Sequence, residues 1–192
     1  MRKLAAVVVL ATSVASADPA VDPEAKRVGE EANLESRDSR RGFVGGVYLG
    51  PSYTTGSTTA TGGSFVVRLG QVANPSTVIQ FELGGATNFK RKGEEGRLLR
   101  DTLMAFVAGF QRWLTPSLSL RFGAGVGAYN CNECGATGMS FTRAGIVGSF
   151  GVALDLIRFK GLVVSLEAST TNQLNREGLF STNALDLGLS FD

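Results

Sequence analysis

Beyond Gly42 the apolar residues of the chain fall on every second position. The pattern is clearest from Ser117 to Tyr129. There Leu118, Leu120, Phe122, Ala124, Val126 and Ala128 share one face, and Ser119, Arg121, Gly123, Gly125 and Gly127 share the other. Successive side chains of a strand point to opposite faces, whereas helical spacing would mix the two sets, so this segment is expected to be a β-strand. The alternation recurs. Phe43, Val47 and Leu49 oppose Gly46 and Gly50; Phe65, Val67 and Leu69 oppose Ser64 and Arg68; Ile79, Phe81, Leu83, Gly85 and Phe89 oppose Gln80, Glu82, Gly84 and Asn88. Between Thr102 and Leu114 both faces are apolar. Met104, Phe106, Ala108 and Phe110 are assigned outward because Ala105, Gly109 and Gln111 are smaller and more polar. Later, Ala144, Ile146, Phe150, Val152, Leu154 and Leu156 oppose Arg143, Gly145, Ser149, Gly151 and Asp155. Leu162, Val164, Leu166 and Ala168 oppose Ser165, Glu167 and Ser169, and Leu185, Leu187, Leu189 and Phe191 oppose Asp186, Gly188 and Ser190. Eight strands are predicted.

The links between them alternate in kind. Asn74-Pro75-Ser76, Thr115-Pro116-Ser117 and Phe159-Lys160-Gly161 read as tight turns, with Pro or Gly where turn geometry requires it. The polar stretches 54–63, 90–101, 130–138 and 172–181 read as longer loops. Short and long links in alternation fit an up-and-down barrel with short periplasmic turns and long extracellular loops.

A soluble barrel or sandwich would also alternate. The choice of lipid outside rests on the polar row, which carries Arg68, Glu82, Arg121, Arg143, Asp155, Glu167 and Asp186 among Gly and Ser. A soluble hydrophobic core would reject these residues, and no helix or second layer is present in the pattern to cover the apolar row. The apolar segments also reach the roughly 9–11 residues that a tilted strand needs to cross hydrocarbon. Phe43 and Phe191 at one rim, and Tyr53, Phe65 and Phe89 at the other, suit an interfacial aromatic girdle, with Trp113 near the first rim but out of parity with its strand.

The N-terminus bears on the compartment. Arg2 and Lys3 precede an apolar run from Leu4 to Leu10, and Ala15-Ser16-Ala17 fits the small-x-small rule for signal peptidase. Residues 1–17 are therefore expected to be a cleaved secretory signal, since the run is too short for a helical span. Residues 18–41 are polar, with almost no large apolar side chain except Leu34, and are expected to form a disordered periplasmic tail. Residues 42–192 are then the barrel. The whole chain has 19 Lys+Arg and 17 Asp+Glu; without Arg2 and Lys3 it is formally neutral, which argues against nucleic acid as the main partner.

Together, the leader, the eight alternating segments and the final Ala184-Leu185-Asp186-Leu187-Gly188-Leu189-Ser190-Phe191-Asp192 resemble the OmpA/OmpX-like eight-stranded outer-membrane β-barrels. The chain departs from the family pattern in that Asp192 follows the terminal aromatic. The resemblance implies an all-β transmembrane barrel in the bacterial outer membrane. Its last strand would be read by the barrel-assembly machinery, its outer face would meet lipid and lipopolysaccharide, and its loops would be free for an extracellular ligand.

Candidate chemistry is sparse. Eight strands enclose a space that side chains fill, so the inward charges read first as an ionic network that sets barrel shape and second as a narrow ion path. Cys131-Asn132-Glu133-Cys134 lies in a predicted loop; an exported protein favours a local disulfide, with free thiols or redox chemistry as the alternative. Zinc would need further ligands, and the chain has no histidine and no other cysteine. Lys90, Arg91 and Lys92 read as a solvated loop tip or as a contact for lipopolysaccharide phosphates. Without histidine no Ser/His/Asp triad can form, and the lipid A-modifying barrel enzymes use a histidine with a serine. The expectation is a non-enzymatic barrel without cofactor or metal, structural or surface-binding through its loops. A soluble secreted barrel with an apolar ligand inside, or a narrow channel, are the alternatives.

Overall fold

Each of the eight alternating segments forms a strand. In the computed structural model, which describes residues 42–55, 60–92, 97–134, 139–176 and 178–191, these are β1 (Phe43–Thr55), β2 (Ala60–Asn74), β3 (Thr77–Lys92), β4 (Arg97–Trp113), β5 (Leu118–Cys134), β6 (Met139–Phe159), β7 (Leu162–Asn175) and β8 (Gly178–Phe191). Every strand pairs antiparallel with its sequence neighbours, and β1 pairs with β8, closing the sheet into a barrel. Closure removes the unpaired edges that an open sheet would present. The expected signal segment and tail, residues 1–41, lie outside the described residues.

Three connections are tight turns at the end that also holds Phe43 and Phe191. At the first, Asn74 Oδ1 accepts the Ser76 backbone N–H at 3.1 Å; at the second, Thr115 Oγ1 accepts that of Leu118 at 3.0 Å. At the third, Lys160 and Gly161 both have positive φ (46° and 82°), the backbone of a two-residue hairpin whose twist matches its strands. The opposite end corrects the expectation of long loops. The polar stretches there continue the strand ladders, so that only 56–59, 93–96, 135–138 and 176–177 separate one strand from the next. Lys90, Arg91 and Lys92 thus belong to β3, opposite Leu99, Leu98 and Arg97 of β4. The cysteine pair likewise belongs to β5, where the β5–β6 register shifts between Cys131 and Cys134. Polarity marks the level of the residue along the barrel here, because a paired strand needs backbone partners rather than apolar side chains.

The side chains are inverted relative to a soluble protein. Val47, Leu49, Leu69, Ile79, Phe81, Leu83, Phe106, Val126, Ile146 and Leu187 are all exposed, whereas Arg68, Glu82, Arg121, Glu167 and Asp186 are buried. The outer face carries aromatic contacts of its own: Phe122 lies between its cross-strand partners Phe110 and Phe150, with ring centroids 5.6 and 5.0 Å apart. Trp113, placed in the girdle from its position along the chain, points inward and is 8% exposed. Strand parity, which had disagreed with the girdle assignment, prevails. On β6 a bulge between Asp155 and Ile157 resets the parity, leaving both Leu156 and Ile157 outside.

Candidate functional site: the enclosed ionic cluster

Arg68 on β2 and Glu82 on β3 are cross-strand partners, and their inward parity follows from the outward Val67, Leu69, Phe81 and Leu83. Arg121 on β5 and Glu167 on β7 reach them from the far wall. Arg68 donates from Nη1 and Nη2 to the two oxygens of Glu167, each at 2.6 Å, and from Nε to Glu82 Oε2 at 3.3 Å. Arg121 Nη1 donates to both Glu82 oxygens at 2.8 and 2.6 Å, while its Nε and Nη2 reach Glu167 Oε1 at 3.2 and 2.9 Å. Each guanidinium therefore binds both carboxylates. The shortest distances are those of charge-assisted bonds, and the planar fork of arginine supplies the paired donors.

The cluster has neutral partners that the sequence analysis did not single out. Gln80 Nε2 donates to Glu82 Oε1 at 3.1 Å, Arg121 Nη1 to Ser149 Oγ at 3.2 Å, and the Arg68 guanidinium lies 3.8 Å from the centre of the Tyr48 ring. Parity could have found Tyr48, which lies between outward Val47 and Leu49. Two glycines make the arrangement fit. A Cβ at Gly151 would approach Arg121 Nη2 and Glu167 Oε1 to 3.0 Å, and one at Gly188 would come 2.3 Å from the Tyr48 ring. Burying four charges costs desolvation, which mutual attraction offsets only when geometry and hydrogen bonding are good. Here every charged group has at least two ionic contacts.

The remaining inward charges stand apart. Asp186 is buried beside the cluster and accepts the Ser64 hydroxyl at 2.5 Å. Asp155 pairs with Arg158 at 3.1 Å near the tight-turn end. Arg143 keeps inward parity on β6, opposite Tyr129, but lies toward the hairpin end with its side chain exposed. The ionic row is thus a four-residue centre with separate members above and below it.

The cluster divides the interior into two cavities. One, on the tight-turn side, is lined by Tyr48, Arg68, Gln80, Trp113 and Ser165. The other, on the hairpin side, is lined by Ser64, Glu82, Arg121, Thr182 and Asp186. Nearer the hairpins the interior closes again. Tyr129 stacks on Phe180 at 4.3 Å, Leu103 and Cys131 join them, and the Tyr129 hydroxyl donates to Asp101 Oδ2 at 3.2 Å. Thr54 bridges Asn88 and Thr182 at the same end. Cys131 is fully buried, and among the described residues no cysteine is free. The side chains of Lys90, Arg91, Lys92 and Cys134 lie outside the described residues. Also among the described residues, no group of three or more His, Cys, Asp or Glu is placed to hold a metal ion.

No protein-family model matches the chain, and no curated protein does. Solved structures do. Neisserial surface protein A superposes with a TM-score of 0.59 at 12% identity, over 78% of this chain and 96% of that one. Ail, the attachment invasion locus protein of Yersinia pestis, in complex with the heparin analogue sucrose octasulfate, superposes with a TM-score of 0.52 at 15% identity, over 79% of this chain and 100% of that one. Ail without that ligand gives 0.53 at 15% identity. At such identities the likeness is one of fold. With its closed ring of eight antiparallel strands, the chain has the fold of the OmpA/OmpX-like eight-stranded outer-membrane β-barrels.

Proposed function

We propose that the chain is a small non-enzymatic protein of the bacterial outer membrane, which acts through the hairpin end of its barrel at the cell surface. One observation carries this reading: large apolar side chains are exposed on all eight strands, while the charges at mid-barrel are enclosed. Water would not tolerate such a surface, but acyl chains match it. Residues 1–17 would direct export and be removed, residues 18–41 would lie in the periplasm, and the terminal strand would be recognised by the barrel-assembly machinery.

At the hairpin end, Lys90, Arg91 and Lys92 stand opposite a β4 segment containing Arg97, with Arg100 farther along it. This concentration of positive charge suits phosphate groups of lipopolysaccharide or another anionic ligand at the surface. The Ail complex with a sulfated heparin analogue supports the idea that this fold can carry anionic recognition. Cys131 and Cys134, in the last four residues of β5 before the β5–β6 connection, would form a disulfide that braces that hairpin.

The alternatives are weaker. A soluble barrel with an apolar ligand inside needs an apolar lumen, and this lumen is lined by Arg68, Glu82, Arg121 and Glu167. A narrow channel needs a continuous path, and the ionic cluster interrupts it. Fractionation tests the reading: the protein should co-sediment with outer membranes and run faster in SDS unboiled than boiled. Recovery in the soluble periplasmic fraction would refute it.

A further inference from the structure

Five charged side chains are buried at the middle of the barrel: Arg68, Arg121, Glu82, Glu167 and Asp186. The two arginines balance the two glutamates, which leaves Asp186 as a fifth, negative charge. It is 0% exposed and stands directly opposite Glu167 in the β7–β8 register, so its nearest ionised neighbour along that pair is another carboxylate. Its Oδ1 accepts the Ser64 hydroxyl at 2.5 Å. Its Oδ2 is buried without a hydrogen-bond partner. Arg121 lines the same cavity, but its guanidinium is committed to Glu82, Glu167 and Ser149.

A buried carboxylate without a counter-charge is unfavourable in a low-dielectric interior. Besides apolar Val66, Leu103, Ala105 and Val107, the cavity that Asp186 lines offers hydroxyl oxygens from Ser64, Ser149, Ser169, Thr171 and Thr182. Oxygen ligands select hard cations. Divalent ions want several carboxylates or an octahedral shell, whereas one unbalanced carboxylate among hydroxyls asks for a single positive charge. We propose that this cavity binds one monovalent alkali cation, Na⁺ or K⁺, against Asp186 Oδ2, with hydroxyl oxygens and water completing its shell. The bound ion neutralises the mid-barrel group of five charges. It sits on the hairpin side of the Arg–Glu cluster, which blocks its passage to the other side.

The full-length mature chain, refolded in detergent micelles, provides the test. Crystals soaked in thallium(I) acetate should show one internal anomalous peak within coordination distance of Asp186, and the wild-type protein should broaden the ²³Na resonance saturably, with K⁺ competing. Asp186→Asn, which preserves shape and removes the charge, should abolish both signals while the barrel remains heat-modifiable in SDS. The thallium measurement needs no variant, so it stands even if Asp186→Asn fails to fold. The proposal is overturned by a cavity that holds water only, by a protonated Asp186 carboxyl seen in the infrared spectrum of wild-type protein in Na⁺, or by ²³Na broadening that persists unchanged in Asp186→Asn.

Discussion

Arg121 shows how tightly single residues are coupled in the lumen. It touches both glutamates and Ser149, so Arg121→Met would strand two carboxylates beside one remaining arginine. Removing one partner of a buried ionic group costs about 3–5 kcal/mol, and urea unfolding in lipid vesicles should show a loss of that order. Arg143→Met, at an exposed position, should stay within about 0.5 kcal/mol in the same assay. The inward orientation of both arginines was legible in the sequence, because parity alone sets which face a strand residue occupies. Which charges meet was not. That depends on the stagger of strands around the barrel, which brings Arg68 to Glu167 across 99 residues of chain and leaves Asp155 near Arg158.

Among the strands, the test of the lipid-facing rows is a charge placed at different depths. Leu83 is an outward neighbour of Glu82, level with the ionic cluster, and is 51% exposed. Leu83→Arg should cost about 2–4 kcal/mol, as for a charge at the bilayer midplane, and Phe43→Arg at the rim only about 0–1 kcal/mol; vesicle-based unfolding measures both. Equal costs at the two positions would contradict the depth assignment. At the β6–β7 turn, Gly161 holds a φ of 82°, which a Cβ disfavours. Gly161→Ala should destabilise by about 1 kcal/mol in the same assay. Turns of this kind were readable because their chemistry is local. The hairpin-end strands were misread as loops because their polar residues lie beyond the apolar belt, where the ladder continues without the hydrophobic alternation that reveals strands. Trp113 was misplaced for a related reason: its level along the barrel suggested the girdle, but its parity turns it inward.

The molecule as a whole is a barrel stoppered by its own side chains. Planar bilayers containing the purified protein should therefore show no sustained conductance at neutral pH, and persistent channels would contradict the closed lumen. The most direct measurement uses the single tryptophan of the chain, Trp113. In bilayers of lipids brominated along the acyl chains, native Trp113 fluorescence should be quenched little. In a Trp113→Phe background carrying Leu83→Trp, the fluorescence should be quenched strongly. Strong quenching of Trp113 with little quenching at position 83 would mean that the apolar rows face inward, and the fold would have been read inside out.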